Sequence, residues 1–167
     1  DDTDPNSYVG GTEIIDDGID QDCDGVDATG LTADEITFGD LIITEFMADG
    51  YKFGGNDEWF EVYNNTNEDI DPFGLQIADA NNIVTIADHF LIPANSYFVF
   101  VNNANPVDNG NFDWQNIPHY EYPSIGFNDG GDDITLLWDD GNTDIVIASI
   151  TYANSSPNFH YTEGLSS

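Results

Sequence analysis

The stretch "DEWFEVYNNTNEDIDPFGLQIADA", residues 57–80, decides the fold, because apolar and polar residues alternate in it before a break rich in Asn, Asp, Pro and Gly. Alternation with a period of two is typical of a strand with one buried face. Phe60 and Val62 are therefore expected to face the core. Trp59 and Glu61 are expected to share the opposite face. The stretch predicts a half-buried strand, a turn and a second strand.

Short runs rich in Ile, Val, Phe, Tyr and Thr recur along the chain, separated by Asn, Asp, Gly and Pro. The runs are DLIITEFMA (40–48), EWFEVYN (58–64), LQIADA (75–80), IVTIA (83–87), SYFVFVN (96–102), DITLLWD (133–139) and DIVIASITY (144–152). None shows sustained helical periodicity, so the pattern predicts an all-β sandwich. DDGN at 139–142 is expected to form a hairpin turn, and NDGGDD at 128–133 a loop before a strand.

The charge of the chain is extreme. Against 33 acidic residues stands one base, Lys52, which gives a formal net charge of −32 over 167 residues. Because 40% of the residues are hydrophobic, the chain can bury a core and is not expected to be a disordered acidic tail. Like charge at this density destabilises a compact fold unless cations or a salty medium offset it. The expected environment is rich in calcium or in salt.

The charge also excludes two classes of partner. Affinity for nucleic acid comes from lysine and arginine, so nucleic-acid binding is excluded, and binding to anionic lipid is disfavoured for the same reason. No run of 18 apolar residues occurs, so no membrane insertion is expected. No signal peptide is visible and the chain begins abruptly at Asp1, which indicates a mature or excised piece of a secreted protein. The predicted location is extracellular.

An acidic loop near the N-terminus predicts a hard-cation site. The stretch GIDQDCDGVD, residues 18–27, places Asp20, Asp22 and Asp24 at alternate positions ahead of a glycine. Alternate positions in a tight loop bring carboxylates to one point, the glycine permits the turn, and the carbonyl of Val26 can add an oxygen. Hard oxygen ligands select calcium over zinc or copper. The predicted cofactor is therefore Ca²⁺.

The rest of the ligand shell stays open at this point. The bidentate Glu of an EF-hand stands at about position 12 of its loop, where this chain has Leu31, so the loop is not an EF-hand. Other acidic residues would complete the shell: Asp27, Asp2, Asp4 or Glu13. The alternative is a solvated acidic linker, the usual role of an acid run. Against it stand the alternate spacing, the glycine and the isoleucines nearby, which offer a miniature core.

The first 28 residues resemble a known repeat. DDTDPNSYVGGTEIIDDGIDQDCDGVDA is similar to the metal-binding repeat of bacterial surface proteins of the MopE type, through the opening DD-x-DP, the central G-x-TE and the closing DGID-x-DCDG. Members of that family usually carry a cysteine just before the opening acids, which would pair with the one in DCDG. The resemblance implies that Cys23 either lost its partner to truncation or forms an intermolecular disulfide. It also implies a bacterial cell surface.

The rest of the chain resembles the lamin tail domain, an immunoglobulin-like fold of nuclear lamins and of many bacterial secreted proteins. The matching motifs, over about residues 37–167, are GDLIITEFMA, DEWFEVYNNTNEDIDPFGLQIADA, LIPANSYFVFVNN and FNDGGDDITLLWDDGNTDIVIASITYA. The resemblance implies a sandwich for structural or interaction purposes, sometimes beside an enzyme on the same polypeptide, and it does not imply catalysis by the module. We divide the chain into an acidic calcium-binding repeat at 1–35 and a lamin-tail-like β-sandwich at 36–167. Family members usually run on through a closing strand, whereas this sequence stops at Ser167. An edge open to strand addition is therefore expected.

No catalytic constellation emerges from the sequence. Glu58 and Glu61 lie three positions apart on a predicted strand and would point to opposite faces, which does not suit a glycosidase pair. The three histidines are dispersed, with no H-E-x-x-H motif, so a zinc site is not expected. Cys23 has no basic neighbour to activate it as a nucleophile. We therefore predict that the chain is not an enzyme.

Three minor features are further candidates. The loop NDGGDD offers Asp129, Asp132 and Asp133 for a second calcium ion, although a solvated turn is the simpler interpretation. Asn64 begins an N-x-[ST] sequon, a pattern that also arises often by chance. Trp114 lies in the least regular stretch of the chain and is the best candidate for an exposed contact.

These observations predict an extracellular, calcium-stabilised module of structural or adhesive function. Such a module suits a protomer or repeat of a surface fibre, matrix or adhesin. Its partners would be calcium ions and other copies of itself, joined by strand addition or by calcium bridging. The alternative is an accessory domain of a secreted hydrolase, which would bind substrate or act as a spacer. The unpaired Cys23 and the near absence of bases favour the structural role.

Overall fold

Alternating apolar residues form β-strands along most of the chain in the computed structural model, which describes residues 5–48, 58–107, 114–123, 125–128 and 131–153. Within these residues the elements are β1 Gly30–Thr32, β2 Leu41–Met47, β3 Trp59–Asn64, β4 Asp69–Asp71, β5 Gln76–Ala78, β6 Ile83–Thr85, β7 Tyr97–Val101, a 3₁₀ turn at Trp114–Asn116, β8 His119–Glu121, β9 Gly131–Asp139 and β10 Asp144–Ala153. The predicted all-β fold is confirmed, and each of the seven predicted runs contains a strand. No helix in this part of the chain is long and apolar enough to cross a membrane.

The strands form two four-stranded sheets and one small pair. One sheet has the order β10-β9-β5-β6 and the other the order β2-β3-β7-β8. Most neighbouring strands in these sheets are antiparallel, while β8 joins β7 in parallel. The small pair consists of β1 and β4, which run parallel with Gly30 opposite Asp69. This arrangement is a β-sandwich.

The core lies between the two large sheets. Phe60 and Val62 of β3 are fully buried, as the alternation predicts, while Trp59 and Glu61 lie half-buried on the other face. The ring of Phe60 stacks on that of Phe100 in β7, with the ring centroids 4.9 Å apart. Burial of one large apolar side chain contributes about 1.5–3 kcal/mol to folding. The apolar layer between the sheets therefore holds the fold together.

A smaller apolar cluster lies on the outer face of the sheet that contains β3 and β7. It consists of Val99, Val101 and Trp114, the last from the 3₁₀ turn. Trp114 is only 5% exposed and meets Trp59 edge to face, with ring centroids 6.2 Å apart. The prediction that Trp114 is an exposed contact is therefore wrong. The chain folds back over this face because the burial of its apolar side chains is favourable.

Strand β9 begins earlier than the sequence indicates. It starts at Gly131, so Asp132 and Asp133 lie within the strand and not in a loop before it. The reason is its pairing with β10, which continues as far as Ala153 opposite Gly131. The predicted hairpin turn at 139–142 is confirmed, since it connects these two strands.

Candidate metal centre

The N-terminal segment, residues 5–29, folds through hydrogen bonds between acidic side chains and backbone amides. Glu13 is buried at its centre. Its Oε1 accepts a hydrogen bond from the amide of Asp22 at 2.7 Å, and its Oε2 accepts one from the amide of Ala28 at 3.0 Å. A hydrogen bond to a charged acceptor contributes about 1.5–3 kcal/mol. Glu13 therefore ties together three stretches of a segment that has no strand of its own.

The acidic loop turns as tightly as the sequence predicts. The carboxylate of Asp20 accepts hydrogen bonds from the amides of Asp24 at 3.1 Å and Gly25 at 2.8 Å. The Oδ1 of Asp22 also accepts from the amide of Asp24, at 2.9 Å. Gly25 has φ of +102°, in the left-handed region that favours glycine. The turn thus places Asp20 and Asp22 on one side of the loop, next to Glu13.

Three carboxylates come together in this segment. Glu13, Asp20 and Asp22 each offer an oxygen, and these oxygens all lie within 4.8 Å of one another. Two unit charges about 4 Å apart repel by about 1 kcal/mol in bulk water and by about 4 kcal/mol near a protein surface. A cation held between them would replace this repulsion with attraction. The three residues are therefore a possible acidic metal-binding group.

The other predicted ligands lie outside this group of three. The Oδ1 of Asp24 accepts a hydrogen bond from the amide of Val26 at 2.9 Å. The Oδ2 of Asp27 accepts one from the amide of Gly18 at 2.9 Å, and its Oδ1 is buried with no hydrogen-bond partner among the described residues. A buried acceptor left without a partner is costly, and a cation near Asp27 would satisfy it. Asp24, Val26 and Asp27 stay predicted ligands, and Asp2 and Asp4 lie outside the described residues.

Gln21 is an anchor of the segment that the sequence did not reveal. Its side chain is buried, and its Oε1 accepts a hydrogen bond from the amide of Ile14 at 3.1 Å. Its Nε2 donates to Asp17 Oδ2 at 2.8 Å, and its backbone carbonyl accepts from the amide of Tyr8 at 2.7 Å. A glutamine between two aspartates gives no sequence signal of burial. Its role follows only from the fold of the loop.

Cys23 lies within the acidic loop, between Asp22 and Asp24. Its thiol is exposed, and its backbone has φ of +62°, an uncommon conformation for a residue with a side chain. Together with Ser7, Ile19 and Asp20 it lines a shallow cleft beside the loop. It is the only cysteine of the chain, so any disulfide must join it to another chain or to residues beyond this sequence. Such a disulfide stays a prediction.

Comparison with known protein families matches residues 35–154 to the Lamin Tail Domain. The chain belongs to the lamin tail domain family. The match covers well over half of the chain, and it begins one residue before the sandwich boundary that we predict at 36. No curated protein matches the chain. The family match does not extend to the acidic segment, whose resemblance to the MopE-type repeat stays a prediction.

Within the lamin tail domain, Asp132 serves as an anchor between strand and loop. It is 7% exposed, and its Oδ2 accepts hydrogen bonds from the amide and the side-chain Nδ2 of Asn128 at 3.0 and 2.7 Å. Its Oδ1 accepts from the amides of Asp133 at 2.9 Å and Ala80 at 3.4 Å. Burial raises the pKa of Asp132, but these hydrogen bonds outweigh burial, and the pKa lies below its ordinary value. Asp129 lies outside the described residues, so a second calcium site there stays a prediction.

Asn64 is part of the lamin tail core and not a surface acceptor for a sugar. It is fully buried, and its Nδ2 donates to the carbonyls of Glu68 and Ile92, both at 2.9 Å. Its Oδ1 accepts hydrogen bonds from the amide and the hydroxyl of Thr66 at 3.0 and 2.8 Å. N-linked glycosylation needs an exposed asparagine. The sequon is therefore a chance pattern at a structural residue.

Glu61 lies in β3 and Glu58 directly precedes it, and the two side chains point to opposite faces of the sheet, as predicted. Glu58 is buried, and its Oε2 accepts a hydrogen bond from the amide of Phe127 at 2.8 Å. Glu61 lies on the outer face, where its Oε1 accepts from the hydroxyl of Thr44 at 2.7 Å. Burial, and then the negative charge of Glu58, raises the pKa of Tyr122 well above its ordinary value. The two carboxylates thus have separate structural roles.

Proposed function

We propose that this chain is an extracellular structural or adhesive module in which calcium folds the N-terminal segment against a lamin tail domain. The group formed by Glu13, Asp20 and Asp22, with its oxygens within 4.8 Å of one another, carries the proposal. All three donors are hard oxygens, the ligands that calcium takes. The resemblance of the segment to a metal-binding repeat of bacterial surface proteins supports the same function and a cell-surface location.

Calcium would act on the segment through contacts that are already in place. Glu13 joins the amides of Asp22 and Ala28, so an ion at Glu13 would hold the acidic loop and the end of the segment together. An ion that binds only the folded segment stabilises it by RT ln(1 + [Ca²⁺]/Kd). Extracellular calcium modules have Kd values of about 10⁻⁴–10⁻³ M. Calcium outside the cell would then keep the segment folded.

The segment is attached to the lamin tail domain over a short stretch. Strand β1 pairs with β4, and Ala33 and Ile36 beyond it belong to the main core. The folded segment would therefore project from the sandwich at a defined angle. A defined angle is what a repeat of a fibre or matrix requires.

The partners that we propose are calcium ions and other copies of the chain. Bridging calcium would offset the repulsion between molecules that each carry a formal charge of −32. The exposed thiol of Cys23 adds a route to a covalent link. The proposal includes neither nucleic acid nor membrane insertion, and it assigns the module no catalytic role.

The mass of the purified protein by light scattering, in calcium and then in chelator, tests the assembly. Large assemblies in calcium that dissolve in chelator would make the chain a calcium-bridged structural protomer. A monomer in both would remove self-assembly and leave an adhesive or display role.

Calorimetric titration with calcium at constant ionic strength tests the metal. Glu13→Gln keeps the size of the side chain but removes a charge, and we expect it to weaken calcium binding at least about tenfold, or ~1.4 kcal/mol. Glu121→Gln, the same change on an exposed residue of β8, is the matched control and is expected to bind like the parent. Equal binding by the parent and Glu13→Gln would exclude the site. Magnesium in place of calcium distinguishes a selective site from general screening.

A further inference from the structure

An apolar groove lies between β2 and β10, the two strands that end their sheets at the same edge of the sandwich. Among the described residues, β2 pairs only with β3 and β10 only with β9. Most of its lining residues have apolar side chains, among them Phe38, Ile42, Ile147 and Ile150, and the others are Gly39 and Ser149. The groove thus lies where two strands that end their sheets, among the described residues, come together.

The two strands run in the same direction along the groove and are joined at both ends. At one end the amide of Gly39 donates to the carbonyl of Ile147 at 3.0 Å. Further along, the rings of Phe46 and Tyr152 contact each other with centroids 4.8 Å apart. Between these points the described residues show no ladder from β2 to β10. Since neighbouring strands lie about 4.8 Å apart, no third strand fits between two that are joined at both ends, and a partner would lie over the groove.

Four exposed apolar side chains lie in or beside this groove. Phe38 is 73% exposed and Ile42 40%, and Ile145 and Val146 of β10 are each 39% exposed. A contiguous exposed apolar patch on a soluble chain marks an interaction site or an aggregation hazard. In a chain with 33 acidic residues, the lining of this groove carries no charged side chain. The edge therefore suits a partner that covers it.

The surroundings of the groove are acidic. Asp40 precedes β2, Glu45 lies within it, and Asp144 begins β10. The described residues contain no lysine or arginine, since Lys52 lies outside them. Complementary charge on a partner speeds association and rejects partners of the wrong sign. A partner with Lys or Arg on either side of an apolar centre matches the groove and its rim.

Both edge strands carry a bulge, which limits the length of strand that can pair with them. The register shifts between Ile43 and Glu45 in β2, and between Val146 and Ala148 in β10. Bulges on edge strands disfavour long edge-to-edge pairing. A second copy would present the same bulged strands and the same acids. These features favour a short basic segment over another copy of this chain, which leaves calcium bridging as the route between copies.

We propose that the groove between β2 and β10 binds a short extended segment of another protein, with alternating apolar residues at its centre and Lys or Arg at both ends. The segment would lie over the groove, and its apolar side chains would cover Ile42 and Ile150. Its basic ends would face the acidic rim. This inference rests on the proposed adhesive function, for which it names the contact surface.

Binding of synthetic peptides tests the proposal. The probe is KKVTVTVKK, and the controls are EEVTVTVEE, which reverses the charge, and KKSTSTSKK, which keeps the charge and removes the apolar centre. We expect the probe to bind at least about tenfold more tightly than either control, because apolar burial and rim charge both contribute. Raising NaCl from about 0.05 M to about 0.5 M should weaken the binding, since it screens exposed charges. Equal binding of the probe and KKSTSTSKK would overturn the proposal, because it would show that the peptides bind through their charge alone.

Two matched variants locate the binding. Ile42→Ser alters a partly exposed groove residue and should weaken binding of the probe at least about tenfold. The mass by light scattering and the unfolding temperature should stay unchanged. Ile83→Ser makes the same change at an exposed position of β6, the strand at the opposite edge of the sheet from β10. This variant should bind the probe like the parent. The proposal is wrong if Ile42→Ser binds the probe normally. It is also wrong if the free protein is a dimer that Ile42→Ser returns to a monomer, because the occupant would then be a second copy. Glu13→Gln should bind the probe like the parent although its calcium binding is weakened. The groove proposal and the calcium proposal can therefore fail separately.

Discussion

Gly74 shows at the level of one residue how closely the lamin tail domain is packed. It has φ of +87°, and a Cβ atom built on it would lie 2.7 Å from the Cζ3 atom of Trp138. The backbone conformation and the indole ring both therefore require glycine. The sequence places Gly74 in a turn but gives no sign of the ring above it.

We expect Gly74→Ala to lower the free energy of unfolding by about 2–4 kcal/mol, since it adds a steric clash to backbone strain. Gly141→Ala is the matched control, because Gly141 has φ of +85° and nothing within 4 Å of its Cβ position. That variant should lose only about 1 kcal/mol. Urea unfolding measures both. Equal losses would show that Trp138 does not constrain the site.

Asp132 makes the stability of the lamin tail domain depend on pH. Its hydrogen bonds outweigh burial and hold its pKa below the ordinary value, which is about 3.9 in an unfolded chain. The charged form therefore stabilises the fold above about pH 4, and this contribution is lost as the pH falls through the folded pKa. Asp132→Asn should cost about 1–3 kcal/mol at neutral pH and less in acid. Asp144→Asn, on an exposed residue, should show no such loss, and a constant cost at all pH values would contradict the assignment.

At the level of elements, the strands within the seven apolar runs were predictable, including the three-residue β5 and β6, and the strands outside those runs were not. Strands β2, β3, β7, β9 and β10 fall within or beside predicted runs because five or more alternating residues carry their own signal. Strands β1, β4 and β8 have three residues each and exist only because a neighbouring strand pairs with them. Trp114 was misassigned for the same kind of reason, since its burial depends on the distant Val99 and Val101.

The pairing of β1 with β4 attaches the N-terminal segment, and Gly30 makes it possible. A Cβ atom at Gly30 would overlap the carbonyl oxygen of Asp69. We expect Gly30→Ala to break this pair and to speed proteolysis within residues 5–29, while the sandwich stays folded on the core between its two large sheets. Gly126→Ala is the control, because its Cβ would meet Glu58 at an acceptable 3.4 Å. Proteolysis of Gly30→Ala at the parent rate would contradict this role.

For the whole molecule, the sequence predicted the centre of the candidate site better than its surroundings. The spacing indicates Asp20 and Asp22, and Glu13 is one of four acids that could complete the shell; the structure brings these three together. The anchoring by Gln21 was not predictable, because it depends on how the loop folds. The β2–β10 groove was not predictable in detail either, because its walls are about a hundred residues apart in the chain and meet only in the sandwich. Spacing within one loop is visible in a sequence, whereas contacts between distant strands are not.

The charge of the whole molecule makes cations part of its stability. A formal charge of −32 opposes compaction everywhere, so any salt should stabilise the fold to some extent. A specific calcium site must therefore show an effect confined to the N-terminal segment at constant ionic strength. This distinction separates a metal site from screening.

Hydrogen exchange in calcium and in chelator, at one ionic strength, is the most direct measurement of the central claim. If calcium folds the segment, the amides of Asp22, Gly25 and Ala28, which donate to Glu13 and Asp20, will exchange more slowly in calcium. Amides in β3 and β9 will change little, and Glu13→Gln will abolish the difference within the segment. Exchange in residues 5–29 that is the same with calcium and with chelator would contradict the account.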